Sequence, residues 1–185
     1  MNKSIINDFR DCFTMYRELG VKCFDQLTEQ ELNYSHGIDS NSIATIVKHM
    51  HGNMLSRWTN FLSEDGEKSW RNRDAEFMGA HLSKTDILFL WNEGWTCVTE
   101  AMKTLNEDNL NQIVFIRSEP HSVHKAVMRQ IAHYAYHTGQ IVLIAKLIRG
   151  NNWQSLSIPK GSSEQFNKAL KTKFGDSSES LLPEA

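Results

Sequence analysis

The sequence predicts an all-α protein, a four-helix bundle with one long crossover between its second and third helices. Three observations carry that expectation. Apolar residues recur at three-and-four spacing in four separate stretches. Proline occurs only at positions 120, 159 and 183, which leaves long stretches free to be helical. The one β-rich segment, QIVFIRSEP at 112–120, suits a short strand but is too short to carry a sheet alone.

The first helix is expected over residues 3–27, where Ile5, Ile6, Phe9, Phe13, Tyr16, Cys23, Phe24 and Leu27 share a face. Thr28 with Glu31 suits the cap of a short turn. The turn-rich NYSHGIDSNS follows as a loop. The second helix opens at Asn41 or Ser42 and ends near Ser63, with Ile43, Ile46, Val47, Met50, Met54, Trp58 and Phe61 as its stripe. Residues 64–81 show no helical period and form the crossover, a length at which connections are often functional. The third helix follows Ser83, whose partner three residues on is Asp86. Its face is Ile87, Leu88, Trp91, Trp95, Val98, Met102 and Leu105, and Gly94 in its middle points to a close helix contact.

The fourth helix runs from Ser122 to Arg149, stopped by Gly150 and Asn151. Its second half, IVLIAKLI at 141–148, is apolar nearly all round, which predicts either a central helix or packing on a second subunit, hence a homodimer. The expected domain is therefore 1–150. Residues 151–185 form a C-terminal extension packing back on it and ending in a mobile tail.

Composition narrows the function. The chain has 185 residues, and 20 Lys and Arg against 22 Asp and Glu give a net charge of −2. That balance argues against nucleic acid as a partner. No apolar run approaches the ~20 residues of a membrane helix. Cys12, Cys23 and Cys97 are odd in number and lack CxxC spacing, and no signal peptide is visible, so a cytoplasmic location is expected.

The eight histidines are the unusual component. In HYAYHTGQ, His133 and His137 stand at i and i+4, about 5–6 Å apart at Cβ, a spacing at which two imidazoles bind one metal ion. No Glu follows His133, so the HExxH protease pattern is excluded. The second helix offers His49 or His51 as a third ligand. At 100° per residue, His51 lies about 70° from the centre of the apolar stripe and His49 about 130°. Periodicity thus mildly prefers His51. His49 nonetheless shares a strip with Ile46, Asn53 and Arg57. His36, His81, His121 and His124 read as solvated or capping, with His81 a candidate fourth contact through the crossover.

The segments IVKHMHGNMLSRW and HYAYHTGQI, in that order and separation, resemble the DinB-like superfamily of metal-binding four-helix bundles, which includes the YfiT-type proteins. The resemblance covers roughly residues 3–150. It is closest to a branch of unknown function through GNMLSRW, GEKSWRNRDAEF and SIPKGSSEQFN. It implies an up-down-down-up bundle, a dimer, and Zn or Ni held by His49, His133 and His137. It also selects His49 over His51. Some superfamily members are thiol transferases that use low-molecular-weight thiols; others have no known activity.

Three imidazoles on a divalent ion leave a position open for water or thiol, the arrangement of catalytic zinc sites. Zinc is the expected ion and nickel an alternative, since imidazole suits both. The expected function is thiol transfer to an electrophile, or hydrolysis of a small substrate. The alternative is a non-catalytic, dimeric metal-binding or stress-related protein. Asn53, Arg57 and Gln140 are candidates for orienting ligands or contacting substrate. Arg71 and Arg73, with Asp74, suit a carboxylate, and Trp70, Phe77 and Trp153 suit a pocket wall.

Overall fold

A computed structural model describes residues 4–37, 39–79 and 81–175. The chain is mostly helical and divides into two units, 1–153 and 154–185. In the first unit the long helices are α1 (Ile5–Phe24), α3 (Ile43–Trp58), α5 (Lys84–Lys103) and α6 (Val123–Arg149). Two short ones intervene, α2 (Glu29–Leu32) and α4 (Arg73–Phe77), and one hairpin, β1 (Ile113–Ile116) with β2 (Glu119–Ser122). Contacts run from α1 to α6, from α6 to α3, from α3 to α5 and from α5 back to α1.

Each long helix begins where a side chain can accept a free N–H. Ser4, Ser42, Ser83 and Ser122 cap α1, α3, α5 and α6 through Ile6, Thr45, Asp86 and Lys125. The Thr28–Glu31 capping box is present and starts α2. The stripes close on an aromatic centre. Phe13 lies 5.7 Å from Trp58, 6.1 Å from Trp95 and 5.8 Å from Tyr134, ring to ring. Gly94 marks the α3–α5 crossing, since a Cβ there would sit 2.8 Å from Met54 Sδ and 3.4 Å from His51 Cα. Cys12, Cys23 and Cys97 are free, and burial pushes the Cys23 thiol up to about 12, an inert core residue. No helix among the described residues is long and apolar enough to cross a membrane.

The structure corrects several of these expectations. The second helix stops at Trp58 rather than Ser63, because Thr59 is extended and Asn60 takes φ 51°. Phe61 keeps the stripe's spacing by being buried outside the helix. The crossover is not free of helix: the Asn72 side chain caps α4 within it. The β-rich segment does supply a short strand, β1, and its last two residues, Glu119 and Pro120, begin the paired strand β2. His121 is buried, not solvated. In the second unit, residues read as polar extension and tail include helix α7 (Ser163–Phe174). The expected tail beyond residue 175 lies outside the described residues.

The hairpin turns on Arg117 and Ser118, both with positive φ (56° and 63°), the two-residue turn that matches strand twist. Neither is glycine, so the conformation carries strain. Asp65 at the start of the crossover offsets it by accepting the backbone N–H groups of Arg117 (2.9 Å), Ser118 (2.7 Å) and Glu67 (2.7 Å). Burial opposes the Asp65 charge, but these donors outweigh it and hold the carboxyl below its usual range.

Candidate metal centre

One turn of α6 separates His133 from His137, and their rings lie 4.6 Å apart with Nε2 to Nε2 at 3.1 Å. α3 packs against α6 and brings His49 to 5.6 Å and 4.9 Å from those rings. One nitrogen from each of the three lies within 4.8 Å of the others. His51 turns the other way and pairs with Glu93 of α5 at 2.7 Å. His81 is exposed and pairs with Glu29 at 3.2 Å. Neither joins the cluster, so the periodicity preference for His51 is overturned.

Two of the rings are oriented from behind. His49 Nδ1–H donates to Glu76 Oε2 at 2.8 Å, which leaves Nε2 as its free lone pair. His137 Nδ1–H donates to Gln140 Oε1 at 3.0 Å, with the same result. His133 Nδ1 is buried with no hydrogen-bond partner among the described residues, so its ring is engaged only at the Nε2 end. Burial depresses the His133 pKa to about 3, assisted by His137, His49, Arg129 and Arg57. Burial also lowers His137, with Gln140 opposing. Both are therefore neutral near pH 7, the form that ligates metal.

The residues fit a divalent ion. Two nitrogens each 2.0–2.1 Å from one ion stand about 2.9–3.4 Å apart at octahedral to tetrahedral angles. The 3.1 Å between His133 and His137 falls in that range. A carboxylate behind a ligating imidazole is the usual support of such a site.

Glu76 is that carboxylate. Arg71 grips it from the other side, Nε to Oε1 at 2.8 Å and Nη2 to Oε2 at 2.9 Å. Burial opposes the Glu76 charge, but His49 and Arg71 outweigh it and hold the carboxyl below the ordinary range. The group fits only because residue 52 has no side chain. A Cβ there would stand 2.2 Å from Glu76 Oε1.

Beside the histidines opens a cavity of about 490 Å³. Of the residues singled out by sequence, Asn53, Arg57, Arg71, Arg73 and Phe77 line it together with the three histidines. Gln140 does not line it and acts on His137 instead. Trp70 and Trp153 are not among the lining residues. Asn53 also accepts the Tyr134 hydroxyl at 3.1 Å, and Tyr134 in turn accepts from Trp58 Nε1 at 2.9 Å, which ties the site to the aromatic core.

Sequence reasoning missed Glu76, Arg117, Arg129 and Tyr136. The last three line the cavity from β-hairpin and α6 positions with no motif of their own. Only Glu76 had a local signal, the Asn72 cap that starts α4.

No curated protein matches the chain at the level that marks a relative. A family profile described as "Protein of unknown function (DUF1572)" matches residues 1–162. With most of the chain matched, crossover and histidine-bearing helices included, the protein belongs to the DUF1572 family.

Proposed function

We propose that the protein is a metal-dependent small-molecule enzyme, built as an up-down-down-up four-helix bundle of the DinB-like and YfiT-type kind. Its reaction is thiol transfer to an electrophilic carbon, or hydrolysis of a small substrate. The observation that carries this reading is the convergence of His49, His133 and His137 beside an open cavity, with no fourth ligand side chain in the cluster among the described residues. A non-catalytic metal-binding role would call for a closed ligand set, and His51 and His81 are held elsewhere by Glu93 and Glu29.

His49, His133 and His137 would hold the ion, zinc first and nickel second. When bound, such an ion supplies Lewis acidity that brings the deprotonation of water or a thiol near neutral pH. Glu76 and Gln140 fix the tautomers of His49 and His137, so their Nε2 lone pairs stay presented. Arg71 keeps Glu76 ionised. Phe77, 4.7 Å from the His49 ring, walls the site.

The reading extends to a homodimer in the cytoplasm. Leu143 and Leu147 of α6 are exposed while Ile141 and Ala145 of the same segment are buried, which leaves an apolar strip for a second copy. Three free thiols suit a reducing compartment.

The test is metal analysis of the purified chain, followed by turnover of a low-molecular-weight thiol with an activated aryl halide. About one zinc or nickel per chain and metal-dependent product are expected. A chain that neither retains nor rebinds a divalent ion refutes the proposal. A bound ion without turnover replaces it with the non-catalytic reading.

A further inference from the structure

The cavity beside the histidines is lined by five arginines, at 57, 71, 73, 117 and 129, and by no carboxylate side chain. They arrive from separate elements: α3, the crossover, α4, the hairpin tip and α6. Their partners differ. Arg71 is committed to Glu76. Arg57 and Arg117 share Glu67, at 3.3 Å and 2.9 Å. Arg73 and Arg129 have no carboxylate partner among the described residues; Arg73 lies over the Phe77 ring at 5.4 Å. Beneath them, Arg57 is only 4% exposed, and its Nε is buried without a hydrogen-bond partner. A buried guanidinium in a cavity wall is poorly screened by water and adds to the positive potential that an anion in the cavity would meet.

The local field agrees with the inventory. Burial lowers the Arg57 pKa and Glu67 restores part of it, while Arg71 and Arg129 push it down again as neighbouring positive charges. Five of the 20 Lys and Arg line this one cavity, in a chain whose net charge is −2. The volume suits a small molecule rather than a polymer.

We infer that the substrate of this site is a small oxyanion, a carboxylate or phosphate ester, gripped at its charged end by Arg73 and Arg129, with the buried Arg57 adding positive charge behind them. The inference deepens the enzyme reading, on which it rests for the identity of the reactive end. The guanidinium fork matches the paired oxygens of either group. Arg73 and Arg129 are positioned to select substrates, while Arg71 serves the histidines through Glu76.

Calorimetric titration of inorganic phosphate and of malonate tests it, on the full chain stripped of metal and on the zinc-reconstituted chain. Both forms should bind at least one of the two anions at a single site. Arg73→Ala and Arg129→Ala should each weaken that binding about tenfold or more, and the double variant should abolish it. Both residues are exposed, so the fold tolerates the changes. The stripped chain holds no zinc, so anion binding measured there is read independently of the metal, which separates failure of the metal reading from failure of this one. Absence of binding by either anion overturns the inference. So does binding that both arginine variants leave unchanged, and so does anion binding seen only in the zinc form with the arginine variants at wild-type level.

Discussion

Gly52→Ala is a one-carbon change that should injure the site from behind. In an ordinary helix interior the substitution gains about 1 kcal/mol. Here the new Cβ would stand 2.2 Å from Glu76 Oε1 and 2.8 Å from Glu76 Cδ, so the carboxylate must move. It makes three charge-assisted hydrogen bonds, to His49 at 2.8 Å and to Arg71 at 2.8 Å and 2.9 Å. Each is worth about 1.5–3 kcal/mol. The Arg71 side chain is only 2% exposed and cannot turn to water for compensation. Losing one or two bonds against the helix gain leaves a net destabilisation of about 0.5–5 kcal/mol. At roughly 2–4 °C per kcal/mol for a chain of this size, the metal-free Tm falls measurably. Zinc affinity, measured by chelator competition, should fall about 10–100-fold as His49 loses its orienting partner. Gly139→Ala is the control: a Cβ there meets nothing within 4 Å, so it should raise Tm by roughly 2–4 °C and leave zinc affinity alone. If Gly52→Ala stabilised like Gly139→Ala and kept zinc affinity, the chain of contacts from residue 52 to the metal site would be wrong.

Three other outcomes are expected. His133→Ala should remove most metal affinity while His51→Ala barely alters it; equal losses by equilibrium dialysis would refute the assignment of His49. The metal-free protein should lose stability on acidification. His133 stays neutral in the fold down to about pH 3 while the unfolded side chain protonates near 6.5, so the unfolded state binds the extra proton across that window. Urea midpoints that hold constant from about pH 7.5 to about pH 5 would contradict this. Finally, Leu143→Glu with Leu147→Glu should convert a dimer of 21.3 kDa chains to a monomer by light scattering; a wild-type monomer at micromolar concentration would remove the dimer proposal.

The long helices were legible because each of their apolar stripes is met by another helix, and Ser42, Ser83 and Ser122 marked the starts of three of them. The i,i+4 pair on α6 was equally legible, since a helix fixes that geometry locally. The choice between His49 and His51 was not, for a physical reason. α3 contacts α5, α6 and α4, and Ala44, Ile46, Val47, His49, Met50, Asn53, Met54, Ser56 and Arg57 are all buried around its circumference. A helix enclosed on so many sides has no single stripe centre from which to measure an angle. The resemblance to DinB-like bundles pointed to the histidine that converges with the α6 pair. Glu76 lay hidden because its role is fixed by two partners, Arg71 and His49, in a crossover without period. Arg117 and Arg129 became neighbours of the site only through tertiary packing.

The hairpin tip has a consequence for engineering. Exposed two-residue turns are normally where a chain accepts an inserted tag or new termini. At Arg117 and Ser118 the backbone N–H groups are already occupied by Asp65, 52 and 53 residues away in sequence. An insertion would break both bonds, relax the two left-handed residues, and carry Arg117 off the cavity it lines. Foreign sequence is better placed at the boundary between the two units, after Trp153, where no contact of the histidine cluster is crossed.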